Sequence, residues 1–149
     1  MYLSVKELVS KVDKLNSNTE PRWGTMTAQK MVEHLINTFL ISSGQMKTEC
    51  FSDEAKLPVL KKILMSDRPM PKGFDSPANK KVPQDYQFEN IDTAIRVLAV
   101  EVDNYYNYFN ENPDAVLMNP TFGELNKDEW EQFHKKHLTH HLTQFGLIE

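Results

Sequence analysis

Apolar positions recur at spacings of three and four along most of the chain, the signature of helices with one buried face. In the first segment, roughly 2–16, Val5, Leu8, Val12 and Leu15 share a face. Lys6, Lys11, Asp13 and Lys14 fall elsewhere. Ser4 followed three residues later by Glu7 is a capping-box pattern. A second helix is expected over 27–43, capped by Thr27, with Ala28, Met31, Val32, Leu35, Ile36 and Phe39 as its stripe and Ser42-Ser43-Gly44 as its end. A shorter one is predicted within 54–66 from Leu57, Leu60, Ile63 and Leu64, its regular part starting near Pro58. The cleanest stripe is Ile91, Ile95, Leu98, Val102, Tyr105, Tyr106 and Phe109, a helix over 89–110 closed by Asn112-Pro113. The last helix, 127–145, has Asn126 as cap, Glu129 three residues on, and Gly146 as its stop.

Between these lie two loops. Residues 67–87 hold Pro69, Pro71, Pro77 and Pro83, and a connection of this length inside a compact domain is often functional. Residues 113–125 hold Pro113, Pro120 and Gly123 and show no strand signal. The expected architecture is all-α: a single domain over 1–149, four substantial helices in a bundle, a short extra helix and a long Pro-rich loop.

Composition narrows the function. A chain of 149 residues with 40% hydrophobic and 26% charged residues can build one sizeable core. Net charge is −4 and no basic block stands out, which argues against nucleic acid as a main partner. No apolar run approaches the ~20 residues that span a bilayer, so no membrane partner is expected. A charge interrupts the N-terminus before any apolar run, so no signal peptide is read there and a cytoplasmic protein is expected. The single cysteine, Cys50, rules out an intramolecular disulfide and any multi-cysteine metal cluster, and no local motif supports it as a catalytic thiol.

The candidate chemistry sits in the last helix. Four of the five histidines are His134, His137, His140 and His141. On a helical wheel Trp130, Phe133, Leu138 and Phe145 define an arc of about 140°. His134, His137 and His141 fall inside it, and His140 lies at its margin. Glu131, Gln132, Lys135, Lys136, Thr139 and Thr143 fall outside. Three imidazoles on a buried stripe are costly unless something uses their nitrogens. His137 and His141, four apart, can converge on one cation at ~2.0–2.1 Å from each nitrogen. A third ligand would come from another helix, and His34, at the edge of the second helix's stripe, is the one remaining histidine. Satisfied core histidines or a surface cluster are the open alternatives. Other patterns fit worse. There is no His-Glu-x-x-His, and a di-iron bundle site needs two Glu-x-x-His motifs where only Glu131 to His134 has the spacing. No Gly-x-Ser-x-Gly supports a serine nucleophile. His134, one turn before His137, is the best candidate for a general base, with a core histidine as the plain alternative. Tyr105 and Tyr106 could present hydroxyls to a pocket, although packing is the plainer role for them and for Trp23 and Trp130.

The run Trp23-Gly24-Thr25-Met26-Thr27-Ala28-Gln29-Lys30-Met31-Val32-Glu33-His34-Leu35 resembles the tryptophan-to-histidine motif of the DinB-like superfamily of metal-binding four-helix bundles. The stretches Pro120–Leu125, Asp128-Glu129-Trp130 and His137–Gly146 resemble the ending of its small bacterial branch catalogued as domain of unknown function 1569. This resemblance implies a divalent-metal site with one ligand from the second helix and an i, i+4 pair from the last: His34, His137 and His141. Imidazole suits zinc, nickel or iron. It further implies a small-molecule substrate, with a low-molecular-weight thiol used by a metal-dependent transferase, and a homodimer. A metal-dependent hydrolase and a non-catalytic metal- or ligand-binding bundle are the alternatives. The chain departs from the branch at Asn119, where relatives often carry histidine.

Overall fold

A computed structural model describes residues 2–71 and 85–149. Five α-helices carry the described fold: α1 Val5–Ser10, α2 Ala28–Ser42, α3 Leu57–Met65, α4 Ile91–Glu111 and α5 Lys127–Gln144. The molecule is mostly α, as its periodicity predicts. Part of the Pro-rich loop expected over 67–87 lies outside the described residues.

Local chemistry explains the helix ends. The side chains of Ser4, Thr27 and Asn90 accept from the backbone N–H groups of Glu7, Lys30 and Thr93 at 3.2, 3.2 and 2.9 Å. At α5 the capping box is complete: Asn126 Oδ1 accepts from Glu129 N at 3.0 Å, and Glu129 Oε1 accepts from Asn126 N at 2.9 Å. The same helix closes on Gly146, whose φ of +72° suits the left-handed turn. There Leu147 N donates to Leu142 O at 2.8 Å and Gly146 N to Thr143 O at 3.1 Å, the Schellman pair. The first expected helix is shorter than its stripe, since α1 tightens into a 3₁₀ turn at Lys11–Lys14 that still buries Val12. A 3₁₀ turn at Glu54–Lys56 leads into α3, with Pro58 in its first turn.

One expectation is corrected. Residues 113–125 do not form a strand-free loop but hold a hairpin of β1 Leu117–Asn119 and β2 Gly123–Leu125, antiparallel with Leu117 opposite Leu125. Strands of three residues are too short for alternation to register, and the turn residues mask them. Asn119 makes the turn: its Oδ1 accepts from Thr121 N at 2.9 Å and Phe122 N at 3.0 Å, and the side chain is fully buried. The residue that departs from the branch pattern thus serves the hairpin.

Helix α2 packs along α4, while α1 and α3 pack on α5. One core joins them, with Val5, Leu8, Met31, Val32, Leu35, Phe39, Leu98, Tyr105, Trp130 and Leu138 all almost completely buried. One wheel assignment is also corrected. Lys136 is 2% exposed, because the end of α3 covers it and its Nζ donates to Ile63 O at 2.6 Å. Glu131 does not face solvent alone; it accepts from Tyr105 Oη at 3.0 Å and Tyr106 Oη at 3.0 and 3.1 Å. Burial and this carboxylate hold both phenols well above their usual pKa.

Candidate metal centre

The inward face of α5 meets the middle of α2 at three imidazoles. His34 Nε2 lies 2.8 Å from His137 Nε2, and His137 Nε2 lies 3.1 Å from His141 Nε2. The ligand atoms of the three residues all fall within 4.8 Å of one another. His137 and His141 are each 7% exposed, and His34 is part-buried. The i, i+4 spacing on α5 brings the first pair together, and the packing of α2 on α5 brings the third. The structure therefore assembles the set that the sequence picks out.

The protons at this site are constrained. Gln144 Nε2 donates to Trp23 O at 3.0 Å, which aims the amide oxygen at His141 Nδ1, 2.8 Å away. His141 must then carry its proton on Nδ1, and its Nε2 presents a lone pair. His137 Nε2 faces that lone pair and His34 Nε2 together. A ring nitrogen carries one proton or one lone pair, so a single N–H of His137 would have to serve two acceptors. A cation is satisfied by all three lone pairs at once. The donor set fits a divalent metal, and the Gln144 contact is the outer hydrogen bond that metal-binding imidazoles characteristically make.

Electrostatics keep the imidazoles neutral, the form that ligates. Burial lowers the pKa of His137 well below its usual value, and the neighbouring His141, His34, His134 and His140 push the same way. His141 is likewise well below, through burial and the nearby His34 and His140, with Gln144 opposing. His34 is held down to about 4 by burial and then by His140.

His134, the candidate base, is fully buried one turn from His137. Its ring stacks on Phe39 with centroids 3.8 Å apart, Nε2 lies 2.9 Å from Ser42 Oγ, and Nδ1 has no hydrogen-bond partner among the described residues. His140 stays outside the triad, edge-on to Trp23 at 5.7 Å and to His141 at 5.0 Å. Tyr105 packs edge-on to His134 at 4.7 Å, and its hydroxyl goes to Glu131. Trp130 is fully buried in the core, and its Nε1 donates to Leu117 O at 3.2 Å.

Two supporting residues escaped the sequence reading. Gln144 sits three residues after His141, a same-face spacing that could have flagged it. Glu33, beside His34 in sequence, is 3% exposed and accepts from Gln29 Nε2 at 3.0 Å, Gln87 N at 3.0 Å and Phe88 N at 3.2 Å. It ties the segment before α4 to α2. Gln29, one turn earlier, is its local partner, but the donors that make the tie are backbone groups more than fifty residues away, which no local pattern marks.

These features define a class: a mostly helical protein with an inward-facing cluster of three histidines able to hold a metal. The model of the family described as "Protein of unknown function (DUF1569)" matches residues 1–146, and the chain belongs to that family. No curated protein and no solved structure matches the chain. Among the described residues, no helix is long and apolar enough to cross a membrane.

Proposed function

We propose that this chain is a metal-dependent enzyme with a DinB-like four-helix bundle fold, in which His34, His137 and His141 hold a divalent zinc, nickel or iron ion. The observation that carries the reading is the convergence of the three Nε2 atoms, with one tautomer set by Gln144. Three protein ligands are the number typical of catalytic sites, which keep a position open. When bound, the metal would supply Lewis acidity and lower the pKa of a thiol or water beside it. The chain's own residues orient the ligands, hold them neutral and close the site toward the core with Phe133, stacked on His137 at 5.0 Å.

Within this reading the reaction is transfer to or from a low-molecular-weight thiol, on the analogy of the superfamily that the two motifs resemble. The base role of His134 belongs to the same proposal; its position one turn from His137 and its Nδ1, without a hydrogen-bond partner among the described residues, support it.

The test has two stages. Elemental analysis of the purified protein gives one divalent ion per chain, and the ion is lost on His137→Ala. Metal-loaded protein is then incubated with a small electrophile and a panel of low-molecular-weight thiols, and loss of free thiol is followed. Stoichiometric metal without thiol consumption, but with ester or amide cleavage, would make it a hydrolase. Metal with neither activity would make it a binding protein, and absence of metal would end the reading.

A further inference from the structure

A second feature lies on the opposite side of His140 from the triad. A pocket of about 450 Å³ opens between the outer face of α5 and the chain after α3. Its volume is in the range of small-molecule sites. Trp23 and Met70 supply apolar wall; Arg68, Lys136, Thr139 and His140 supply polar groups. Among the described residues the lining holds two basic side chains, Arg68 and Lys136, and no carboxylate, on a chain whose net charge is −4.

Lys136 is the informative member. It is 2% exposed, yet its ammonium has no carboxylate within 4.0 Å among the described residues; it donates to the carbonyl of Ile63. An ammonium offers three donors, and a desolvated cation without a counter-charge is unfavourable. Thr139 adds a buried hydroxyl oxygen that has no hydrogen-bond partner among the described residues. The charge of Asp67 acts on Lys136, but it forms no ion pair with it within 4.0 Å and is not part of the lining. Capping the end of α3 explains one donor of Lys136; it does not explain Arg68 beside the same pocket or the orphan hydroxyl.

We propose that this pocket binds a small organic anion, a carboxylate or phosphate monoester on an apolar body, with the anionic end toward Lys136 and Arg68 and the body against Trp23 and Met70. The site stands on its own residues and needs no metal in the triad. If the triad is loaded, His140 is the wall between the two sites, edge-on to His141 at 5.0 Å, so a molecule seated here lies beside the metal centre.

The probes are phenyl phosphate and phenylacetate, with benzyl alcohol as the neutral counterpart. They are titrated into the full chain by calorimetry, before and after chelator treatment. Both anions should bind saturably in either condition, and benzyl alcohol at least about tenfold more weakly, the value of one charge-assisted hydrogen bond. Lys136→Met and Arg68→Ala should each weaken the anions by about tenfold or more. The exposed Arg68 keeps the test valid should the Lys136 variant fold poorly. Equal binding of benzyl alcohol, no saturable binding, or unchanged affinity in Arg68→Ala would overturn the site. Binding that vanishes on chelation yet survives both substitutions would place the anion on the metal, overturning this proposal while leaving the metal centre intact. Binding that persists in protein with no metal affinity would uphold it and remove the metal reading.

Discussion

Replacing Gln144 with leucine removes the acceptor 2.8 Å from His141 Nδ1 at a position 6% exposed, with little change in volume. The effect on metal binding can be worked from the tautomers. Without metal, His141 in the variant moves its proton to Nε2 and shares it with His137 Nε2, 3.1 Å away. With metal, Nε2 must be a lone pair, so the proton returns to Nδ1 and is left buried without a partner. That state costs about 1–3 kcal/mol, or roughly 5- to 150-fold in affinity. The loss of outer-shell hydrogen bonds at metal sites typically gives about 10–100-fold. Gln144→Leu should therefore weaken zinc by about one to two orders of magnitude, measured by competition with a chromogenic chelator. Gln144→Glu keeps an acceptor and should stay within about tenfold of wild type. Urea unfolding of the metal-free proteins separates this from general damage, because the tautomer shift spares the apo state. Zinc affinity in Gln144→Leu within about threefold of wild type would refute the assigned tautomer and the ligand role of His141 Nε2.

His137→Ala should abolish stoichiometric metal binding yet leave the helices formed, while His140→Ala retains the metal; equal metal content in the two would mean the wrong face of α5 was chosen. Stability of the metal-free protein should fall with pH. The histidines are held below 6.5 in the folded state, His34 at about 4, so above 6.5 their contribution is fully present. Below 6.5 the unfolded chain takes up protons that the folded one refuses, and stability drops toward each folded pKa by up to ~1.4 kcal/mol per pH unit per histidine. A flat profile of urea midpoints from pH 7.5 to about 4.5 would contradict this burial. Gly123→Ala should lower stability by about 1–3 kcal/mol, since φ is +81° and the new Cβ would lie 3.1 Å from Leu57 Cδ1; calorimetric melting checks it. The homodimer that the family resemblance implies should scatter light as twice the chain mass at micromolar concentration, and a monomer there would end that idea.

The helices were legible because each carries its own stripe and most carry a cap, α3 having Pro58 in its first turn instead. Asn126 with Glu129, and Gly146 after the last turn, mark both ends of α5 without help from the rest of the chain. The hairpin was not legible. Its strands are held by register across a three-residue turn, 120–122, and by one buried asparagine, neither of which leaves a period to read. The wheel placed His137 and His141 correctly because burial of that face is set by Phe133 and Leu138 on the same helix. It misplaced Lys136 because what covers that residue is the end of α3, more than seventy residues earlier.

The same division runs through the site. The candidate ligand pair is local, and α5 alone brings His137 and His141 together. The third imidazole depends on α2 lying against α5, and spacing leaves His34 only at the margin of its stripe. Gln144 depends on still more: it orients His141 only because its amide is itself fixed by the backbone of Trp23, in the turn before α2. The opening motif that contains Trp23 and His34 and the ending that contains His137, His141 and Gln144 are therefore one constellation. One half brings the third imidazole and the carbonyl, the other brings the pair and the amide between them. A change at the Trp23 turn should act on metal affinity through Gln144, without touching any ligand.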